Sequence, residues 1–326
     1  MFVQPIMSLI IKFCALAVCL TVFILTTNAQ SHSSEIGLQT DNDAYLFQGS
    51  DRYYTDGLFL FYRQALKTGN NTALQNKVLG FELGQKIYNP QTGNIPSSSN
   101  VDRPFAGYLY IGASLNLLYK NESNLKLSAQ IGVIGPAAGG EQAQKFVHKT
   151  FGFYPINGWK YQIQNAFQLN LSAEYNRLLM RDEGFDVTAS AYGNVGTGFT
   201  GAGVGPLFRL GKLGKLFNSI STQSTAIKNQ NDVKASNGEF FLHYKPQFNY
   251  VAYDATIEGG LFNKQQAGAT EVTRMPKRAV FSNQVGVSFV SKRWVIDYTA
   301  SFPTNVVKRM GYSQQWASIS LLYRFN

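Results

Sequence analysis

The sequence is poor in charge and has no long apolar run in its body. Asp, Glu, Lys and Arg make up 15% of its 326 residues, against roughly 25% in an ordinary soluble domain. Past residue 29, no apolar stretch approaches the roughly 20 residues a spanning helix needs, and the mean hydropathy is only −0.13. A helical membrane protein is excluded on those grounds. Both cysteines, Cys14 and Cys19, fall within the first 29 residues, which leaves the rest without disulfides or thiol chemistry. No Gly-x-Ser-x-Gly is present, so a serine nucleophile on a strand-to-helix elbow is absent too. Aromatics and glycine are abundant, with Phe 24, Tyr 18, Trp 3 and Gly 30. That excess excludes disordered, coiled-coil and collagen-like chains. Soluble-looking hydropathy, few charges and many aromatics together describe a transmembrane β-barrel.

Residues 1–29 read as a secretory signal. A single charge, Lys12, precedes the apolar stretch Phe13 to Leu25, and Thr27-Asn28-Ala29 places small residues where a signal peptidase cuts. The alternative is an uncleaved anchor, for which thirteen apolar residues are short. Leu16-Ala17-Val18-Cys19 is a poor lipobox. Cleavage after Ala29 leaves 297 residues (326 − 29), with 28 basic and 19 acidic side chains and a net charge of +9. A basic exported chain suits anionic partners such as lipid phosphates rather than nucleic acid.

The remainder alternates with period two. Leu109, Ile111, Ala113, Leu115 and Leu117 are interleaved with Tyr110, Gly112, Ser114 and Asn116, and the same holds for 125–133 and 167–176. Such alternation marks extended strands with one apolar and one polar face. The polar faces carry Gly, Ser, Asn and Gln, which suits lipid outside and a packed polar lumen inside. Twelve strands are expected, at 35–43, 55–66, 77–88, 105–119, 124–134, 161–180, 184–196, 199–210, 238–254, 277–290, 293–303 and 314–325. The fold class is therefore all-β: a twelve-stranded antiparallel transmembrane barrel occupying residues 30–326 of a bacterial outer membrane. With the N-terminus on the periplasmic side, 211–237 is a long connection on the side of short turns.

Three polar motifs gather at one end. Asp41-Asn42-Asp43 closes the first strand, while Asp51 and Tyr53-Tyr54-Thr55-Asp56-Gly57 open the second. A hairpin places these at one rim, where carboxylates and amide oxygens suit a hard cation such as Ca²⁺. An Asx-turn with solvated charges is the alternative. Val101-Asp102-Arg103-Pro104-Phe105-Ala106-Gly107 reads as a rigid loop anchor, with Arg103 held by a carboxylate. Gly135 to Lys149 contains a short extracellular-loop helix near 140–150. Glu141, Gln144 and His148 fall on one of its faces, Ala143, Phe146, Val147 and Thr150 on the other, and Gly152 is its C-cap. Of the mature histidines, His32 lies beside the new N-terminus and His243 faces the lumen. His148 alone stands on a structured element at the rim; a solvated loop histidine is its bland alternative.

In this order and spacing, Asp41-Asn42-Asp43, Tyr54-Thr55-Asp56-Gly57, Asp102-Arg103-Pro104-Phe105-Ala106-Gly107 and Gly135-Pro136…Gly139-Gly140…His148 resemble the LpxR family of outer-membrane lipid A 3′-O-deacylases. The resemblance is strongest over 36–180. It implies a twelve-stranded barrel and Ca²⁺-dependent hydrolysis of the 3′-linked acyloxyacyl ester of lipid A within lipopolysaccharide. The family's site histidine falls on His148, its asparagine–aspartate pair on Asn42 and Asp43, and its threonine on Thr55. Candidate catalytic residues are then His148, Asn42 and Thr55. Asp43, Asp41 and Glu141 are candidate Ca²⁺ ligands, and Tyr54, Arg103 and Gln144 are candidate substrate contacts. With no serine or cysteine nucleophile, water activated by His148 is the remaining route to an ester. Two rivals stand beside this reading: a non-enzymatic pore or scaffold, and a Ca²⁺-dependent phospholipase.

Overall fold

The structure, a computed structural model, describes residues 31–47, 51–228, 238–263 and 270–326. The expected signal segment lies outside the described residues. Twelve strands follow one another: β1 (Ser34–Asn42), β2 (Tyr54–Ala65), β3 (Leu74–Tyr88), β4 (Ala106–Tyr119), β5 (Ser123–Ile134), β6 (Ala166–Asp182), β7 (Phe185–Gly196), β8 (Phe199–Lys212), β9 (Glu239–Asp254), β10 (Ala279–Ser291), β11 (Trp294–Pro303) and β12 (Trp316–Phe325). Each pairs antiparallel with its sequence neighbours. β1 closes the barrel on β12, from Ser34↔Phe325 to Asn42↔Ala317.

Alternation decides which side chain meets lipid. On β1 and β2, Ile36, Leu38, Leu58 and Leu60 are exposed, whereas Glu35, Phe59, Phe61 and Arg63 are buried in the lumen. Every expected strand is present, and the largest displacement is at β6, which starts at Ala166 rather than 161. Residues 158–161 instead form a 3₁₀ turn that buries Trp159, and Ile163 N–H donates to the Phe105 carbonyl.

The described part of the long connection after β8, residues 213–228, folds into the barrel mouth. Asn76 Nδ2 reaches the carbonyls of Phe217, Ser224 and Ala226, and Asn116 Nδ2 donates to the Thr222 carbonyl at 2.7 Å. Thr225 donates to Glu35, which also holds Arg63 at 2.8 Å. A buried charge network ties the strand ends to this segment. Arg209 meets Asp186 at 2.6 Å, and Arg181 bridges Asp186 and Glu122. These residues all lie at the end that carries Ser34 and Phe325, the side of short turns in such barrels. The plug explains a long connection there: its backbone hydrogen bonds are satisfied inside the lumen rather than in water.

The opposite rim carries the one long helix among the described residues, α1 (Gly140–Phe151), ended by Gly152 in the left-handed conformation (φ 71°). Odd-numbered residues of β3 and β4 face outward, as exposed Phe81, Leu83 and Ile111 show. Gln85, Ile87 and Gly107 share that phase. Gln85 Nε2 donates to the Ala138 carbonyl at 2.7 Å, and the Cα of Gly107 lies against Gly140. The start of α1 therefore rests on the outer wall of β3 and β4, outside the barrel.

Candidate active site

Trp159 seats the helix. Its ring is buried against Phe105, with centroids 5.2 Å apart, and its Nε1 donates to Gln144 Oε1 at 2.9 Å. A Cβ on Gly140 would fall 2.9 Å from the Trp159 ring, and one on Gly158 2.3 Å from Phe105. Only glycine permits those approaches. Each helical residue advances about 100°, so Gly140, Gln144 and His148 form one narrow stripe, and all three are buried.

The helix orientation bears on two expectations. The inward face is the polar one, while Phe146, on the face expected to be apolar, is 71% exposed. Phe146 and Phe151 stand exposed among Gln142, Lys145 and Lys149, a mix that suits a helix lying at a membrane interface. Glu141 falls on the flank of the buried stripe, where Lys145 takes its carboxylate at 2.6 Å. It is thus a half-buried ion-pair partner of Lys145, off the stripe that carries His148.

His148 is held at both nitrogens. Nδ1 lies 2.7 Å from the Tyr154 carbonyl oxygen, and Nε2 lies 3.1 Å from Asp51 Oδ2. A carbonyl only accepts, so Nδ1 carries a proton; the contact with the Asp51 carboxylate holds a second one, so Nε2 is the nitrogen that exchanges its proton in the chemistry. The rings of Phe153 and Tyr154 stand edge-on to the imidazole at 5.4 and 5.0 Å. The Tyr154 hydroxyl accepts from the Gly93 N–H at 3.3 Å. Burial first, then the Asp51 charge, push that phenol up from its usual value.

Asp51 comes from the β1–β2 loop, with φ at +45°, and Tyr53 two residues on has φ +65°. Non-glycine residues rarely adopt this region, and such backbone clusters at functional sites. Thr55 follows at a β-bulge, where the pairing jumps from Tyr54↔Tyr88 to Asp56↔Ile87. The extra residue changes the phase. Tyr54 points into the lumen and Asp56 points outward, with fully buried Thr55 between them. Thr55 Oγ1 lies 3.5 Å from Asp43 Oδ1 and 3.4 Å from Asp51 Oδ1. Asp43 also accepts the Arg52 N–H at 3.1 Å. Asn42, in phase with Leu38, caps the turn by accepting from Ala44 N–H at 2.7 Å and donates to Asp56 at 2.5 Å.

His148, Asp51, Thr55 and Asp43 thus form one chain of contacts, with Asn42 and Asp56 beside it on the outward side. Of the other candidates, Asp41, Tyr54 and Arg103 are corrected. Asp41 is in the opposite phase to Asn42 and accepts the Tyr54 hydroxyl at 2.6 Å and Gln39 Nε2 at 2.8 Å, so both Asp41 and Tyr54 belong to the lumen. Gln144 gives its Oε1 to Trp159, while its buried Nε2 has no partner among the described residues and stays open to a substrate oxygen. Arg103 is a buried anchor, not a substrate contact: it donates to the Pro104 carbonyl and to Thr256, and stacks on Tyr88 at 4.1 Å. Burial draws its guanidinium down from the usual value, against the opposing pull of Asp254.

A family model described as outer membrane protein LpxR matches residues 13–325. The chain belongs to the LpxR family. Among solved structures it is similar to LpxR from Salmonella typhimurium, with 22% identity and a TM-score of 0.72 over 89% of this chain and 100% of that one. It also matches the β domain of the Bordetella autotransporter BrkA (10% identity, TM-score 0.48, 91% and 100% covered) and the translocator domain of NalP from Neisseria meningitidis (12%, 0.40, 99% and 97%). No curated protein sequence matches it. As an LpxR-family barrel, the chain resides in the bacterial outer membrane.

Among the described residues of this LpxR-family chain, no three His, Cys, Asp or Glu side chains converge as a metal-binding group. A hard cation needs no such trio, since hydroxyl and backbone carbonyl oxygens also serve. The Thr55 hydroxyl has one proton and two carboxylates within reach, so it serves one of them at a time. Its contacts to both are long. This all-oxygen meeting point fits the chemistry of Ca²⁺. Asp51 was visible in the sequence as one of the rim carboxylates, but nothing there paired it with His148; Tyr154 stood out only as part of the aromatic stretch Phe151 to Trp159, expected at the membrane interface.

Proposed function

We propose that this chain hydrolyses the 3′-linked acyloxyacyl ester of lipid A, in lipopolysaccharide, at the cleft between α1 and the outer wall of β1 and β2. The observation that carries this reading is the place of His148. The imidazole is buried and oriented, outside the barrel wall, beside a polar rim set directly above the lipid-facing residues Leu38 and Leu58. A lipid can reach such a cleft from the membrane without entering the lumen.

The chain's own residues supply the acid–base chemistry. Tyr154 fixes the Nδ1–H tautomer. With Asp51 turned aside from Nε2, a water hydrogen-bonded to that nitrogen gives its proton to Nε2 as its oxygen bonds to the ester carbonyl carbon. Both ring nitrogens then donate, one to the Tyr154 carbonyl and one to Asp51, which stabilises the imidazolium. The acyl C–O bond breaks, the proton passes to the departing sugar oxygen, and the acyl chain leaves as a free acid. Asp43 and Thr55 would hold Ca²⁺. Bound there, Ca²⁺ supplies an electrophile for the ester carbonyl and for the negative charge that develops on it. Asn42 fixes the turn that carries Asp43.

The plugged mouth opposes the pore reading. The test is a mass spectrum of lipid A from cells with and without the protein, in which loss of the 3′-linked acyloxyacyl mass is expected. Unchanged lipid A with release of lysophospholipid would move the assignment to a phospholipase.

A further inference from the structure

Two extracellular loops, 270–278 after β9 and 304–315 after β11, are joined as one surface. Pro276 and Val307 form an antiparallel bridge, Lys277 N–H donates to the Val306 carbonyl at 2.8 Å, and Lys308 N–H donates to the Met275 carbonyl at 3.3 Å. Arg274 is pinned to the β3–β4 loop: its Nε donates to the Val101 carbonyl at 2.8 Å, and its backbone N–H donates to the Ile257 carbonyl. Arg52 stacks over Tyr312 at 4.5 Å and adjoins Asp51 in the chain. Beneath, Tyr53, Ile257, Val307 and Met310 form a small apolar core that makes the surface rigid. The patch therefore borders the loop that touches His148.

We infer that Arg274, Lys277, Lys308 and Arg309, with Arg52 at their edge, dock the phosphate groups of the lipid A head group. This assignment rests on the proposed deacylase reading and adds to it a recognition surface apart from the reacting atoms.

Charge complementarity supports it. Among the described residues, none of these five cations lies within 4.0 Å of a carboxylate oxygen. The acids nearby are otherwise engaged. Asp102 accepts from the Tyr53 hydroxyl, Gln91 N–H and Arg103 N–H, and Glu258 pairs with Arg278. Arg274 and Arg309 oppose one another: burial first, then the Arg309 charge, draw the Arg274 guanidinium down, with Asp102 only partly offsetting them. A phosphate dianion between such groups relieves that repulsion. Lys308 and Arg309 are exposed and free to turn toward it. Arginine on phosphate also gives bidentate geometry.

The experiment uses the full chain in detergent, carrying His148→Gln so that turnover does not consume the ligand. Binding is measured for bisphosphorylated lipid A and for lipid A stripped of phosphate, both in mixed micelles. The phosphorylated form should bind about tenfold more tightly at low salt, as each basic residue beside an anionic head group strengthens binding several-fold. The triple variant Arg274→Ser, Lys308→Ser, Arg309→Ser should lose most of that preference. Equal binding of the two forms, or an unchanged preference in the triple variant, overturns the assignment. So does equal competition by phosphatidylglycerol, which would mark an unselective anion surface. Acyl release from lipid A by the wild-type chain, assayed in parallel, reports on the deacylase reading separately.

Discussion

Nε2 of His148 lies 3.1 Å from Oδ2 of Asp51, while Nδ1 is tied to the carbonyl of Tyr154. A residue from a loop beside the barrel wall thus meets the proton-exchanging nitrogen of a residue on a helix outside that wall, and the meeting closes the cleft. Asp51→Asn keeps the size of the side chain and removes the charge that would balance an imidazolium. The expected result is a fall in kcat of about 10–100-fold, the range seen when a partner that orients a working side chain is lost, with little change in KM. An unchanged kcat would show that Asp51 only shapes the loop.

His148→Gln should remove most of the acyl release, since a general base contributes about 10²–10⁴-fold. The barrel should still migrate as a heat-modifiable band, because α1 packs on the outside of β3 and β4 and contributes nothing to strand pairing. Acyl release near the wild-type rate would return His148 to a structural role.

Activity should fall in chelator and return on adding Ca²⁺. Asp43→Asn and Thr55→Val should each raise the Ca²⁺ concentration needed for half-maximal rate, because the first removes a carboxylate charge and one of its two oxygens and the second removes a hydroxyl oxygen of the proposed site. Wild-type turnover that continues unimpaired in chelator would dismiss the cation.

The strands were legible because a lipid-facing wall and a polar lumen force period two on every one of them, from Ile36 and Leu38 to Leu321 and Tyr323. His148 was legible from the motif around it. Side-chain direction at the rim was not. Asp41 and Asn42 are adjacent, and pleating sends one into the lumen and the other outward. The bulge at Thr55 shifts the phase between Tyr54 and Asp56, which alternation alone does not reveal. Asp51 reaches His148 only because its backbone takes φ +45°. Glu141 shares a wide face with His148 on a helical wheel, yet the seat made by Trp159 turns the helix so that Glu141 meets Lys145. These outcomes depend on contacts between distant segments, which a local pattern does not contain.

Gly158→Val should unseat the helix. A Cβ at this position would stand 2.3 Å from Phe105, and overpacking of that kind costs about 1–3 kcal/mol. Because the strain falls on the loop that carries Trp159, protease sensitivity within 135–165 should rise and acyl release should drop while heat-modifiability persists. Wild-type activity together with a resistant loop would mean that the Trp159 seat does not set the position of His148.

The barrel should be electrically silent, and this separates the proposed enzyme from a pore. Asn76 and Asn116 hold the segment 217–226 across the mouth through backbone carbonyls, and Glu35 adds a contact through Thr225. Side-chain amides donating to buried carbonyls are worth about 1 kcal/mol each, and the carbonyls left behind cost more when unpaired. The double variant Asn76→Ala, Asn116→Ala removes four such contacts without touching the strand ladders. In planar bilayers the wild-type chain should show no steady conductance, and the double variant should show flickering openings as the segment loosens. Lipid A hydrolysis by the double variant should stay close to wild type, since His148 and Asp51 sit at the opposite rim. A steady, ion-selective conductance from the wild-type protein would contradict the plug and revive the pore. Silence in both proteins would show that the other plug contacts, chiefly Arg209 with Asp186 and Glu35 with Thr225, are enough to keep the mouth shut.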